Sequence, residues 1–168
     1  MKNKIDAVDL MILSELRSNC KRPVRELAQR LRVHPNTLLQ RIKKLESAGV
    51  IIKYVAEVDY SKVGYDLHAI ISIKVNKDAH NSQKWGLFDE LRLFRDITAL
   101  YAITGTYDII AIVKTRSRDT LTDLITELNA KPYVTETNTT LVLRPFKHAY
   151  EFNPFEGAAD EASKSQGI

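Results

Sequence analysis

The chain has little of what several classes of protein require. It contains a single cysteine, Cys20, so it has no internal disulfide, which is usual for a protein of the reducing cytoplasm. Its apolar runs extend over only a few residues, whereas a membrane-spanning helix needs roughly 20. The first residues lack the apolar stretch of a secretory signal peptide. These absences predict a cytoplasmic protein that does not enter a membrane.

Motifs of catalysis and of cofactor binding are also missing. Neither of the common glycine-rich phosphate-binding motifs occurs, and the serine-hydrolase motif G-x-S-x-G is absent. The acidic residues Asp89, Glu90 and Asp108 have no convergent partner that would make them an acid–base pair. The histidines are not spaced from each other, or from Cys20, as metal ligands are: His34, His68, His80 and His148. We therefore expect no catalytic residue, no metal site and no cofactor.

Charge is divided unevenly along the chain. Residues 1–53 contain 12 Lys and Arg against 5 Asp and Glu, a net charge of +7. Residues 54–168 contain 13 against 16, a net charge of −3. A basic segment followed by a slightly acidic one is typical of a nucleic-acid-binding module joined to a domain with a different task.

The basic segment has the pattern of three short helices. Apolar residues recur at spacings of three and four over residues 6–19, 23–31 and 35–47. Pro23 and Pro35 suit the first turn of a helix, whose N–H groups have no partner within the helix. Helices of this length with short connections indicate a helix-turn-helix motif, in which the second helix of the motif enters the major groove of DNA.

The helix over 35–47 has two chemically different sides. Leu38, Ile42 and Leu45 share the apolar side, and amide, hydroxyl and basic groups occupy the other. Amide and guanidinium groups can bond to base edges, Thr and Leu can contact the thymine methyl, and Lys can meet phosphates. Any amphipathic helix exposes a polar side to water, but three consecutive helices with a charge of +7 favour DNA binding. The expected DNA contacts are Arg22, Arg25, Asn36, Thr37, Gln40, Arg41, Lys43 and Lys44.

The rest of the chain alternates strands and helices in a β-α-β-β-α-β order. Strands are predicted over residues 67–75, 97–104, 107–114 and 134–143, with helices over 82–94 and near 121–128. This order indicates a ferredoxin-like α+β domain with helices on one face of its sheet. The strands are apolar on both sides, which favours a face-to-face homodimer. Gly105 and Thr106 predict a two-residue type II′ hairpin, and residues 51–59 predict a further strand that joins the two domains.

Several motifs of the basic segment resemble one family. The segment Arg41-Ile42-Lys43-Lys44-Leu45-Glu46-Ser47-Ala48-Gly49-Val50-Ile51, with Arg25-Glu26-Leu27-Ala28 before it, closely resembles the leucine-responsive/asparagine-synthetase (Lrp/AsnC) regulators of the archaeal type. The likeness continues to about Phe146. It implies a sequence-specific transcriptional regulator that binds double-stranded DNA as a dimer or octamer. Leu39 and Gln40 stand where the family often has a small polar and then a basic residue, so the base preference does not carry over.

The same resemblance extends to a possible effector site. Thr104-Gly105-Thr106-Tyr107-Asp108 matches the family's Thr-Gly-x-Tyr-Asp segment, which in relatives helps to bind a small amino acid between subunits. The resemblance assigns Thr137 and Thr139 to the same region. Glycine leaves backbone N–H groups open to a carboxylate, and an aspartate accepts from an ammonium group. Thr106 replaces an aspartate that is common in the family, and an effector-independent regulator is therefore an alternative.

These observations predict four segments. A helix-turn-helix domain covers residues 1–52, a linker strand 53–65, a ferredoxin-like effector-binding and oligomerisation domain 66–150, and a flexible tail 151–168. In the proteins that the chain resembles, the linker strand pairs with its twin in a second subunit. The alternative prediction is an ordinary wing-like strand within one subunit.

Two other classes of function stay open. One is a sequence-nonspecific architectural DNA-binding protein that uses the same basic segment. The other is a small-molecule-binding or enzymatic protein, against which the lack of any nucleophile–base pair argues.

Overall fold

The structure is a computed structural model that describes residues 5–76, 84–155 and 157. It divides into two compact units. One unit, here the head, comprises residues 1–57 and 147–168, and the other, the body, comprises residues 58–146. The body is therefore an insertion between two parts of the head.

The head contains the three predicted helices. They are α1 (Ala7–Ser18), α2 (Val24–Arg30) and α3 (Pro35–Ser47). Asp6 and Asp9 form a reciprocal cap at the start of α1, where each carboxylate accepts a hydrogen bond from the other residue's backbone N–H. His34 caps α3 through Nδ1, which accepts from the backbone N–H of Asn36 at 3.3 Å. Pro35 is the first residue of α3, as predicted, whereas Pro23 immediately precedes α2.

Both helices of the motif end in the same backbone turn. The residue after the cap is left-handed in each case: Arg32 follows α2 with φ 53°, and Gly49 follows α3 with φ 69°. The next amide, of Val33 or Val50, donates to the carbonyl five residues earlier at 3.0 and 2.9 Å. Glycine adopts this conformation without strain, and arginine does not.

The segment after α3 differs from its prediction. Residues 52–59 form no strand with any other described part of the chain, and a 3-10 turn follows at Tyr60–Val63. The hydroxyl of Tyr54 donates to the carboxylate of Glu46 at 2.9 Å, which fixes the segment to the end of α3. Burial, together with this bond to Glu46, raises the pKa of Tyr54 to about 12. A strand needs a partner, and the described residues of one chain supply none here.

The body has the predicted ferredoxin-like topology. Its elements are β1 (Leu67–Val75), α4 (Lys84–Leu91), β2 (Ile97–Ala102), β3 (Ile109–Thr115), α5 (Arg118–Asn129) and β4 (Val134–Leu141). The sheet order is β2-β3-β1-β4, and every neighbouring pair is antiparallel. The predicted helix over 82–94 ends earlier, at Leu91, and residues 82 and 83 lie outside the described residues.

Alternate residues of the central strands face the helices. Ile71, Ile73 and Val113 are fully buried in a cluster that also contains Leu124 and Leu128 of α5. Ile70, Ile110 and Ile112 point to the opposite face, where they are partly buried. The prediction of strands that are apolar on both sides is confirmed.

The connection between β2 and β3 is longer than predicted. It spans residues 103–108 instead of the two residues of a tight hairpin. The backbone N–H of Asp108 donates to the carbonyl of Ile73 at 3.0 Å, and its side chain accepts from the N–H of Val75 at 3.0 Å. These two bonds hold Asp108 at the end of β1, and the backbone N–H of Ile103 closes the loop by donating to the carbonyl of Asp108 at 2.8 Å.

The chain after β4 also differs from its prediction. Residues 151–155, expected in the flexible tail, belong to the head, and a 3-10 turn at Ala149–Glu151 overlaps their start. Apart from Gly157, the rest of the predicted tail lies outside the described residues. Side-chain bonds to α1, described below, account for the position of residues 149–155.

Candidate nucleic-acid interface

The hydrophilic side of α3 is exposed, as the sequence predicts. Leu38 and Leu45 are 0% and 2% exposed and anchor the helix on the core of the head. The polar side chains on the other side form what we call the reading face: Asn36, Thr37, Gln40, Lys43, Lys44 and Ser47, all exposed. Leu39 lies at the edge of this face and is 47% exposed. The helix thus offers hydrogen-bonding groups and one apolar side chain to a partner.

Three of the predicted DNA-contacting cations are exposed as well. Arg25 lies on α2, and Lys43 and Lys44 lie on α3. None of the three forms an ion pair with another residue that the structure describes. Their charges are therefore available to phosphate groups.

Arg41, which is also among the predicted DNA contacts, is paired with two carboxylates of the head. Its Nη1 atom lies 2.7 Å from Asp6 Oδ2 and 2.7 Å from Asp9 Oδ1, and the Asp9 side chain is only 1% exposed. The hydrogen bonds to Asp6 and then to Asp9 raise the pKa of Arg41. Arg41 therefore links α3 to the start of α1. The two aspartates are 35 and 32 residues away in sequence, so helical periodicity gave no sign of this contact.

Arg22 is also bound within the head. Its side chain is 14% exposed and pairs with Glu15 of α1 and with Glu26 of α2. Arg30 of α2 reaches the same Glu15 at 3.0 Å. Glu15 therefore joins α1 to the region of α2. The expected DNA contacts thus fall into an exposed set on α2 and α3 and two arginines, Arg22 and Arg41, that hold helices together.

The predicted effector loop is open at its tip. Thr104, Gly105 and Thr106 are exposed, and Gly105 has φ 123° with no atom near the position of a Cβ. The hydroxyl of Tyr107 donates to Glu136 at 3.0 Å, and this bond raises the pKa of Tyr107. The contact with Glu136 was not predicted, because nothing in the local sequence relates the loop to β4.

The two predicted threonines of β4 face the helices. Thr137 pairs with Ile73 and Thr139 with Ile71, both of which are buried beneath α5. Thr137 donates to the Asn129 side chain at the end of α5 at 3.0 Å. Glu136, the neighbour of Thr137, points to the other side, where it meets Tyr107. The loop 103–108 therefore contacts Glu136 on one side of β4, whereas Thr137 and Thr139 face α5 on the other.

Within the described residues, no three His, Cys, Asp or Glu side chains are grouped closely enough to hold a metal ion. None of the helices among them has the length and apolar character that crossing a membrane requires.

Comparison with protein families matches both parts of the chain. Residues 5–52 match a family model described as winged helix-turn-helix DNA-binding. Residues 68–152 match the Lrp/AsnC ligand binding domain.

Individual relatives match over nearly the full length. The HTH-type transcriptional regulator PF1734 of Pyrococcus furiosus is 36% identical over 152 residues, which cover 90% of this chain and 99% of the relative. The HTH-type transcriptional regulator PH1692 of Pyrococcus horikoshii is 34% identical, with the same two coverages.

Solved structures agree with these matches. AsnC of Escherichia coli has a TM-score of 0.78 at 30% identity, covering 86% of this chain and 96% of that one. The regulator NMB0573 of Neisseria meningitidis, solved in complex with L-methionine, has a TM-score of 0.81 at 25% identity, covering 86% and 94%. With its helix-turn-helix head and its ferredoxin-like body, the chain belongs to the Lrp/AsnC family of transcriptional regulators.

Proposed function

We propose that this regulator reads double-stranded DNA with the reading face of α3. Asn36 and Gln40 would bond to base edges, and Thr37 and Leu39 would contact thymine methyl groups. The observation that carries the proposal is the exposure of this face, opposite an apolar side on which Leu38 and Leu45 are buried. The sequence offers no nucleophile–base pair, and we propose a non-catalytic regulator that acts in the cytoplasm.

Arg25, Lys43 and Lys44 are proposed to bind phosphates. Such contacts fix the position of the protein on the duplex and carry no sequence information themselves. Each phosphate contact makes binding more sensitive to salt: it steepens the fall of the log binding constant against log salt concentration by about 0.9. We leave Arg22 and Arg41 out of the interface, because their guanidinium groups are paired with carboxylates of the head.

Selection of bound sequences from a random DNA pool tests the base-reading role. We expect wild-type protein to enrich a pseudo-palindrome and Gln40→Ala to lose preference at one position of each half-site, by about 1–3 kcal/mol. Gln29→Ala is the matched control, since Gln29 is an exposed glutamine on α2 outside the reading face. Identical preferences for the two variants would contradict the proposed role. No enrichment by wild-type protein would favour the architectural alternative.

We further propose a homodimer formed by the open face of the body's sheet. Ile70, Ile110 and Ile112 lie on that face, and burying them against a second copy would remove apolar surface from water. In a dimer, two α3 helices would meet successive major grooves about 34 Å apart. A larger assembly such as an octamer is what the resemblance implies. Native mass spectrometry measures the number of subunits in wild-type protein and in Ile112→Asp. We expect the substitution to weaken the dimer, and a monomeric wild type would contradict the proposal.

A small amino acid is the proposed effector, bound at the loop 103–108. Gly105 gives backbone N–H groups that suit a carboxylate, and Glu136 supplies an acceptor for an ammonium group. The L-methionine complex of the Neisseria relative supports this choice of ligand class. Calorimetric titration with the 20 common amino acids tests it. Binding that is weakened by Gly105→Val but not by Gly64→Ala would support the site. Absence of any binding would favour the effector-independent alternative, to which Thr106 points.

A further inference from the structure

The end of the chain returns to the head and lies along α1. The Nη2 atom of Arg17 is within hydrogen-bonding distance of three backbone carbonyls, at 3.4 Å from Ala149, at 3.2 Å from Tyr150, and close to Phe152. The carbonyl of Ala149 also accepts from the backbone N–H of Phe152 at 3.3 Å, which closes the 3-10 turn. Arg17, in the last turn of α1, adds a charged donor to all three carbonyls.

A second contact lies one turn earlier on α1. The side-chain amide of Asn153 donates to the backbone carbonyl and to the hydroxyl of Ser14, at 3.4 and 3.1 Å. The other end of the same amide accepts from the N–H of Phe155 at 3.2 Å. This turn places the partly buried ring of Phe155 against the apolar core of the head.

The segment also has internal order. Glu151 accepts from the backbone N–H of His148 at 2.8 Å, and the rings of His148 and Tyr150 are stacked with centroids 5.0 Å apart. A segment that is already turned loses less conformational entropy when it docks. We call residues 149–155 the strap.

We propose that the strap is an intrinsic part of the DNA-binding unit and that its release from α1 lowers DNA affinity. The occupant of this surface of α1 is the chain's own strap, held by Arg17, Ser14 and the core contact of Phe155. Arg41 and Asp9 tie α1 to α3. A less stable α1 would therefore support α3 less firmly. The reading face itself lies on α3 and is not covered by the strap.

The covalent path strengthens the proposal. The chain leaves the head after residue 57 and re-enters it at residue 147. A docked strap thus gives the head a second connection to the body, and a released strap leaves only one. The part of the proposal that concerns DNA affinity rests on the function proposed above, and the part that concerns docking does not.

Phe155→Ala in the full chain tests both parts. We expect amide hydrogen exchange of α1 to become about tenfold faster, because local opening then costs less. DNA affinity, measured by fluorescence anisotropy, should fall several-fold. Phe146→Ala is the matched control, since Phe146 is 91% exposed and lies just before the strap. It should leave both quantities unchanged.

Asn153→Ala provides a milder variant if Phe155→Ala does not fold. It removes the two bonds to Ser14, and we expect the same changes at a smaller size. Unchanged exchange of α1 in these variants would overturn the docking role. Faster exchange with unchanged DNA affinity would overturn the link to DNA binding. If wild-type protein binds no DNA but the exchange difference persists, the proposed function fails and the docking of the strap stands.

Discussion

Different interactions stabilise the interior of the head and the interior of the body. The body has a continuous apolar layer between its sheet and its helices, in which Ile71 and Ile73 are fully buried. The head packs three short helices around a smaller apolar cluster and adds ion pairs between them. One of its carboxylates, Asp9, is itself buried. Removing one partner of a buried ion pair is strongly destabilising, so the contact of Arg41 with the buried Asp9 makes the head depend on charge as well as on apolar packing.

The cations of the head also fall into two groups, one paired with carboxylates and one exposed. Arg22, Arg30 and Arg41 are paired with carboxylates across helix–helix contacts, whereas Lys43 and Lys44 are exposed. A count of basic residues along the sequence treats all of them alike. The structure shows that part of the positive charge of the head is paired with carboxylates between its helices.

The largest expected effect is in the apolar layer of the body. Ile71→Ala removes a fully buried side chain and should destabilise the body by about 3–4 kcal/mol. Hydrogen exchange of β1 and β3 should accelerate, while exchange of α2 and α3 in the head should not. Equal acceleration in both units would show that they unfold together. The head and the body would then have no separate stabilities to compare.

Asp9→Ala probes the ionic contact of the head. It leaves Arg41 with Asp6 as its remaining carboxylate and should cost about 3 kcal/mol, because one partner of a buried pair is lost. Local hydrogen exchange of α1 and α3 measures the change. Asp89→Ala in the body is the control, since its pair with Arg92 is largely exposed and should contribute less than about 1 kcal/mol. Equal effects of the two substitutions would remove the distinction.

The two helix ends of the motif offer a matched pair of substitutions. Gly49→Ala forces a side chain into the left-handed region and should destabilise the head by about 1 kcal/mol. Arg32→Gly relieves the same strain after α2 and should stabilise the head by up to about 1 kcal/mol. Denaturant midpoints of both variants check the opposite signs. Destabilisation by both would mean that the Arg32 side chain contributes more than its strain costs.

The smallest expected effect is an acid dependence confined to the head. Burial alone would raise the pKa of Asp6, but the hydrogen bonds from Arg41 and from backbone N–H groups at the start of α1 hold it below the ordinary 3.8. The stabilisation from Asp6 is therefore complete above that value and lost as the pH falls through the lower, folded-state pKa. Thermal melts below pH 5 should show a shallower loss for Arg41→Gln than for wild type. Parallel losses would contradict the assigned pair.

Local patterns in the sequence predicted what local physics determines. The spacing of Leu38, Ile42 and Leu45 predicted which side of α3 is buried, and the apolar pattern over 35–47 predicted the bounds of that helix. The branched apolar residues along 67–75 predicted β1 and its two apolar sides, and the order of the elements predicted the topology.

Contacts between distant residues were not predictable in the same way. Arg41 has the position of a base-reading residue on α3, and only the fold brings it to Asp6 and Asp9. Asp108 of the loop 103–108 bonds to the end of β1, a contact that its local sequence does not show. The strap has the composition of a tail, and its order depends on Arg17 and Ser14, more than 130 residues earlier in the chain.

The salt dependence of DNA binding tests most directly the claim that α3 presents the DNA-contacting cations and that the paired cations have a structural task. Lys44→Ala should reduce the slope of log affinity against log salt by about 0.9, and Arg30→Ala, which removes an equal charge paired with Glu15, should leave the slope unchanged. A reduced slope for Arg30→Ala together with an unchanged slope for Lys44→Ala would contradict the account.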